Sequence, residues 1–198
     1  MKASDTGGTT FEQVAPGTYP ARCYKLIDLG TQLSEYQGES KRRHQIIIGW
    51  ELPTELMTSG EYEGQPFTAS KFYTLSLSEK STLRPHLVNW RGRDFTPEEL
   101  AGFELKKLLN KTCLLSIVHD DKGRAKVGGV MALPKGMQVP DPVNEPVYFS
   151  LDPDEFSQEV FDSFSDKMKA LIVGADEYKA RGKARAPVTT DDNDGPDF

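Results

Sequence analysis

Cysteine is nearly absent from this chain. Cys23 and Cys113 are the only two in 198 residues, and neither belongs to a CxxC pair. That excludes a disulfide framework and a thiolate zinc site, and reads as two buried thiols in a reducing compartment. Histidine is equally sparse: His44, His86 and His119 are scattered, none at metal-ligating spacing from a second ligand. His119-Asp120 has the form of a metal-phosphohydrolase dipeptide but sits at a hairpin mouth without the companion ligands. No GxxxxGK[ST] or GxGxxG run occurs, so no nucleotide-hydrolysing site is supported and neither metal nor cofactor is expected. No apolar run approaches the roughly 20 residues needed to span a membrane. The opening MKASDTGGTT has no apolar segment of the kind a signal peptide needs.

What is there is a core-forming body with a charge split. With 37% hydrophobic residues, the chain can bury one core and an appendage. The net charge of −6 divides into −1 for residues 1–14, +3 for residues 15–136 and −8 for residues 137–198. A mildly basic body and an acidic C-terminal third are suited to different partners.

The organising stretch is RRHQIIIGWEL, Arg42 to Leu52. Ile46, Ile47, Ile48 and Trp50 are strand formers in a run too short for a typical helix, and they fall on both parities. Both faces of this strand are therefore expected to be covered. Lys41, Arg42 and Arg43 make its mouth basic, as in a groove for something anionic. Before it, Thr18 to Leu29 reads as a strand whose apolar parity shifts midway, as at a bulge, and Gly30 to Lys41 reads as a polar loop. After it, Phe67 to Leu77 alternates strictly. Leu83, Leu87 and Trp90 form a helical stripe with Ser81 as N-cap, and Thr96-Pro97-Glu98-Glu99 is a capping box. Strands resume at Thr112, turn at Asp120-Asp121-Lys122-Gly123, and return from Arg124 to Leu133 through Gly128-Gly129, which suggests a bulge. Three strands, a helical insert and a two-strand hairpin are in the order of a five-stranded OB-fold barrel. Residues 1–16 read as a loose arm and residues 17–136 as the barrel. Residues 137–178 form an extension with another short strand at Val147–Leu151 and an amphipathic helical stripe. That stripe must be covered by the barrel or by a second subunit, as in a homodimer. Residues 179–198 read as a flexible linker and acidic tail.

Cations interleave with aromatics along the body: Arg22-Cys23-Tyr24-Lys25, Arg42-Arg43, Lys71-Phe72-Tyr73 and Trp90-Arg91-Gly92-Arg93. Single-stranded nucleic acid needs this pairing, because cations follow phosphates and flat rings stack on bases. On that basis Tyr24 and Tyr73 are expected as stacking platforms, with Phe72 in the core. Arg22, Lys25, Arg42, Arg43, Lys71, Arg91, Arg93, Lys122, Arg124 and Lys126 are expected as the cationic lining. Trp50 and Trp90 read more readily as core. Two other readings remain. Asp154 with Glu177 and Lys179 imitates a metal-dependent nuclease pattern, and the acidic third could imitate DNA in an interaction protein.

The runs YPARCYKLIDLGTQ, IIIGWELP, FTASKFYTLSLSEKSTLRPHLVNWRGRDFTPEELAGFELKKLL and VGGVMALPKG, spanning about residues 15–150, resemble the OB-fold single-stranded DNA-binding proteins of tailed bacteriophages. The resemblance implies a non-catalytic barrel that coats single-stranded DNA in replication or recombination, in the cytoplasm of the infected bacterial host. Asp191, Asp192, Asp194 and Asp197 with Phe198 resemble the acidic, Phe-ended tails of bacterial and phage proteins of this kind. This implies a tail that recruits replication or recombination partners, its ring and carboxylate filling a basic, apolar-floored pocket. The bacterial pattern has proline directly before the final phenylalanine, whereas here Asp197 intervenes after Pro196.

Overall fold

A computed structural model describes residues 12–36 and 39–184; the acidic tail Asp191 to Phe198 lies outside the described residues. The chain is mainly β. Its strands are β1 (Gly17–Tyr36), β2 (Glu39–Leu56), β3 (Pro66–Thr74), β4 (Thr112–His119), β5 (Ala125–Met131) and β6 (Val147–Phe149). Among the described residues they make one six-stranded sheet in the order β3-β2-β1-β4-β5, with β6 alongside β1. All pairings are antiparallel except β1 with β6.

β1 holds the sheet together by changing partner along its length. It pairs with β4 over Gly17–Arg22 and with β6 over Lys25–Ile27, while β2 runs along its other edge. A register shift at Cys23/Lys25 bends it between the two, where the apolar parity shifts in the sequence, and a second at Asp28/Gly30 follows the β6 pairing. The polar segment expected as a loop after Leu29 instead continues the hairpin. Thr31 pairs with His44, Gln32 with Arg43 and Leu33 with Arg42.

The expected closed five-stranded barrel is corrected to an open sheet. β5 carries a bulge, with Ser116 opposite Gly129 and Ile117 opposite Val127. No backbone ladder joins β3 to β5 among the described residues; instead Lys71 Nζ donates to the Val127 carbonyl at 2.9 Å.

Both faces of the sheet are apolar, as the Ile46–Trp50 run requires. The inner core gathers Cys23, Leu26, Ile46, Ile48, Trp50, Tyr73, Cys113, Leu115 and Ile117. It is closed by α1 (Leu83–Arg91), whose Leu83, Leu87 and Trp90 point inward. Trp50 and Trp90 meet there with ring centroids 6.0 Å apart. Thr96 caps α2 (Pro97–Ala101) in a full capping box, and a 3-10 turn at Leu105–Leu108 leads into β4.

The second core lies on the outer face. Ile27, Leu29 and Ile47 are covered by Phe149 of β6, Leu151 just after it, Phe161 of α3 (Gln158–Asp162) and Ile172 of α4 (Asp166–Gly174). Most of the helical stripe is thus covered from within the chain, while Leu171 stays 40% exposed. α5 (Asp176–Ala184) follows, so helix occupies residues 179–184, where a flexible linker was expected. Gly30 makes this docking possible. Its φ is +66°, and a Cβ there would come within 2.7 Å of Ala175, Glu177 and Leu151. Residues 12–16 are also tied down rather than loose. Glu12 accepts from Thr58 N and Oγ1 at 2.8 and 2.9 Å, Val14 is buried, and His119 Nε2 bonds its carbonyl. Among the described residues, no helix is long and apolar enough to cross a membrane.

Candidate nucleic-acid interface

The outer face of β2 and β3 is built by register. Ile47 lies opposite Phe72, Gly49 opposite Ser70 and Glu51 opposite Thr68. Lys25 of β1 lies opposite Gly49, and a Cβ on Gly49 would meet the Lys25 Cβ at 2.9 Å. The glycine therefore lets the lysine stem cross the strand. By the two-residue period of β2, Arg43 is on the same face as Ile47. This face carries a ring, two cations and two hydroxyls: Phe72, Lys25, Arg43, Thr68 and Ser70. Phe72 is 53% exposed beside the edge of the second core. Arg43 is exposed and makes no ion pair among the described residues; the Lys25 ammonium lies 5.1 Å from the Tyr24 ring centroid.

β3 has the opposite facing from that expected of its aromatics. Tyr73 is 2% exposed, lies in the inner core, and its hydroxyl bonds His86 Nδ1 at 2.8 Å. Burial pushes its pKa up and that of His86 down. Phe72, expected inside, is the exposed ring. Tyr24 is buried as well, under Lys25. The available signal was the company Phe72 keeps: its parity mates Thr68, Ser70 and Thr74 are hydroxyl residues, whereas those of Tyr73 include Phe67 and Ala69.

Most of the expected cationic lining is already partnered. Arg22 is 4% exposed, so it does not line a groove; its Nε donates to Glu51 Oε1 at 2.8 Å, and its other nitrogens reach Asn110 Oδ1 and the Asn144 carbonyl. Arg42 pairs with Asp176. Arg91 is stacked on Phe95 and Phe103, with ring centroids at 4.3 and 4.9 Å, and shares Glu99 with Arg93. Those bonds, led by that from Arg93, hold the Glu99 carboxyl down at about 2. Lys71 spans the β3–β5 gap, and burial lowers its pKa. At the β4–β5 turn Arg124 and Lys126 face Asp120 at 2.8 and 3.9 Å, while Lys122 is exposed. The structure thus brings Lys25 and Arg43 to one face with Phe72, sets Lys122 and Arg124 on the β4–β5 turn with Lys126 at the start of β5, and separates Arg91 and Arg93 on the α1–α2 side.

A second polar cluster joins α5 to the hairpin. His44 Nε2 lies 2.6 Å from Asp28 Oδ1, and its Nδ1 lies 3.5 Å from Glu177 Oε1. The Asp28 hydrogen bond raises the His44 pKa. Glu177 also accepts from Thr31 N and Oγ1, both at 2.7 Å. Of the nuclease-like set, Glu177 is held in this cluster, Lys179 Nζ donates to the Gly174 carbonyl at 2.6 Å, and the Asp154 N–H donates to Asp152. Among the described residues no group of three His, Cys, Asp or Glu side chains is placed to hold a metal ion.

Comparison of the chain with protein-family models, curated proteins and solved structures gives no match in any of the three.

Proposed function

We propose that the protein binds single-stranded DNA without sequence preference and without catalysis, using the outer face of β2 and β3. The observation that carries this reading is an exposed Phe72 on the face that presents Lys25, Arg43, Thr68 and Ser70. A ring in that setting stacks any base, at ~1–3 kcal/mol per base, while cations follow the backbone. The hydroxyls add hydrogen bonds to phosphate or sugar that carry no sequence information. Strand order supports the finer fold reading: β1, β2 and β3, a helical insert, then the β4–β5 hairpin is the order of an OB-fold, whose strand 2–3 face binds oligonucleotides. Lys122 and Arg124 on the β4–β5 turn, with Lys126 at the start of β5, form one lip of that face in this reading, and the β1–β2 end with Arg42 and Arg43 the other.

The wider role follows from the family resemblance. The protein coats single strands during phage replication or recombination in the bacterial cytoplasm, and its tail, Asp191 to Phe198, recruits partners. A gel-shift series with single- and double-stranded oligonucleotides, with and without magnesium, tests the reading. Retardation of single strands of unrelated sequence, without cleavage, is expected. Equal affinity for duplex, or magnesium-dependent cleavage, overturns it.

A further inference from the structure

A cavity of about 300 Å³ lies where the end of α1, the 3-10 turn and the start of β4 meet, on different elements from Phe72. Trp90, Arg91 and Phe103 line it together with Lys107 and Lys111. Its size is at the small end of small-molecule sites, ~300–1,000 Å³.

Its charge is not balanced from within. Glu99 serves Arg91 and Arg93 together, and Glu104 faces Lys107 at 3.2 Å. Lys111 is exposed and makes no ion pair among the described residues. Of the three cations that line the cavity, Arg91 has Glu99 and the nearby Asp94, Lys107 has Glu104, and Lys111 has no carboxylate partner among the described residues. Arg91 Nη1 is in addition buried without a hydrogen-bond partner, and such a group raises the local demand for negative charge. The apolar wall is aromatic: Phe103 packs edge-on against Phe95 at 5.2 Å, and the Trp90 indole N–H is already spent on the Thr112 carbonyl at 2.8 Å. What remains open to a ligand is ring surface and lysine ammonium.

We propose that this cavity binds a nucleotide phosphomonoester, with the phosphate on Lys107 and Lys111 and the base against Phe103 and the Trp90 edge. The cavity takes one nucleotide unit, not the course of a strand. Two sources share this chemistry: a free nucleoside monophosphate and the phosphorylated end of a nucleic-acid strand. The site does not depend on the β2–β3 face.

The test is titration of the full chain with deoxyadenosine monophosphate at low salt, followed by amide and indole resonances. The nucleotide is expected to move the Trp90 indole N–H and the amides of residues 103–112. Inorganic phosphate should bind more weakly, for want of the base. Each charged hydrogen bond lost corresponds to about tenfold in affinity, so the double variant Lys107→Glu, Lys111→Glu should weaken nucleotide binding by more than that. Both lysines are exposed, and an unchanged near-ultraviolet spectrum confirms that the variant folds. Phe72→Ala should leave nucleotide binding unchanged even if strand binding is lost. Oligonucleotides ending in phosphate or hydroxyl separate the sources: tighter binding of the phosphate end, lost in the double variant, assigns the strand end, and equal binding assigns the free nucleotide. Nucleotide that moves none of these resonances, or moves them equally in the double variant, overturns the proposal.

Discussion

Phe72 and Tyr73 are sequence neighbours with opposite fates: Phe72 is 53% exposed on the outer face of β3, while Tyr73 is 2% exposed and bonded to His86 inside. The pair separates binding from stability. Phe72→Ala is expected to weaken single-strand binding by ~1–3 kcal/mol and to leave the melting temperature nearly unchanged. Tyr73→Ala should cost ~3–5 kcal/mol of stability, because it opens a cavity between the sheet and α1. Thermal melts and fluorescence anisotropy of the two variants check this.

Arg43 and Lys25 supply charge to that face without a carboxylate partner among the described residues. Each phosphate neutralised on a single strand contributes about 0.7 to the slope of log affinity against log salt. Arg43→Ala is expected to lower both affinity and slope, equally for different sequences. Arg93→Ala, which removes a partner of Glu99 on the α1–α2 side, should alter the slope much less.

The Arg22–Glu51 pair is a structural joint, since Asn144 donates to Glu51 from its backbone N–H at 2.8 Å and its amide at 2.7 Å, which pins the connector across the sheet. Glu51→Gln leaves the Arg22 guanidinium buried with its charge uncompensated, an expected loss of ~3–5 kcal/mol in urea unfolding. Burial alone would raise the Glu51 carboxyl, but the bonds from Arg22 and Asn144 outweigh it and lower it below 4.5. Its stabilisation is therefore present above pH 4.5 and is lost as pH falls through the lowered value.

His44 gives the opposite pH dependence. Its hydrogen bond to Asp28 raises its pKa above 6.5, against the effect of burial and with help from the Asp28 and Glu177 charges. Stabilisation of the α5 contact by the imidazolium is complete below pH 6.5 and fades as pH rises through the raised value. Hydrogen exchange of α5 amides, corrected for intrinsic rate, should show falling protection across that window. His44→Gln should flatten the dependence.

What the sequence made legible was local. The Thr96 capping box and the Leu83/Leu87/Trp90 stripe each lie within a few residues and form as read. Coverage of both faces around Ile46–Trp50 followed from parity alone. The facing of β3 does not follow from its two aromatics, Phe72 and Tyr73; its local signal is the hydroxyl set Thr68, Ser70 and Thr74 beside Phe72, and the inner set is fixed by pairing with Ile46 and Ile48 of another strand. Arg22 looked like a groove cation because its partners, Glu51, Asn110 and Asn144, are remote in sequence. The hairpin beyond Leu29 is hidden in the sequence for a related reason: polar residues such as Thr31 and Gln32 pair well in a strand when no core demands alternation.

Photocrosslinking tests the central claim most directly. A bromouracil-substituted single strand is bound to the full chain, irradiated, and the attached peptide identified by mass spectrometry. The β2–β3 face predicts attachment within β3 at Phe72, lost in Phe72→Ala and reduced by high salt. Attachment confined to other elements, or binding that is unaffected by Phe72→Ala and by salt, would contradict it.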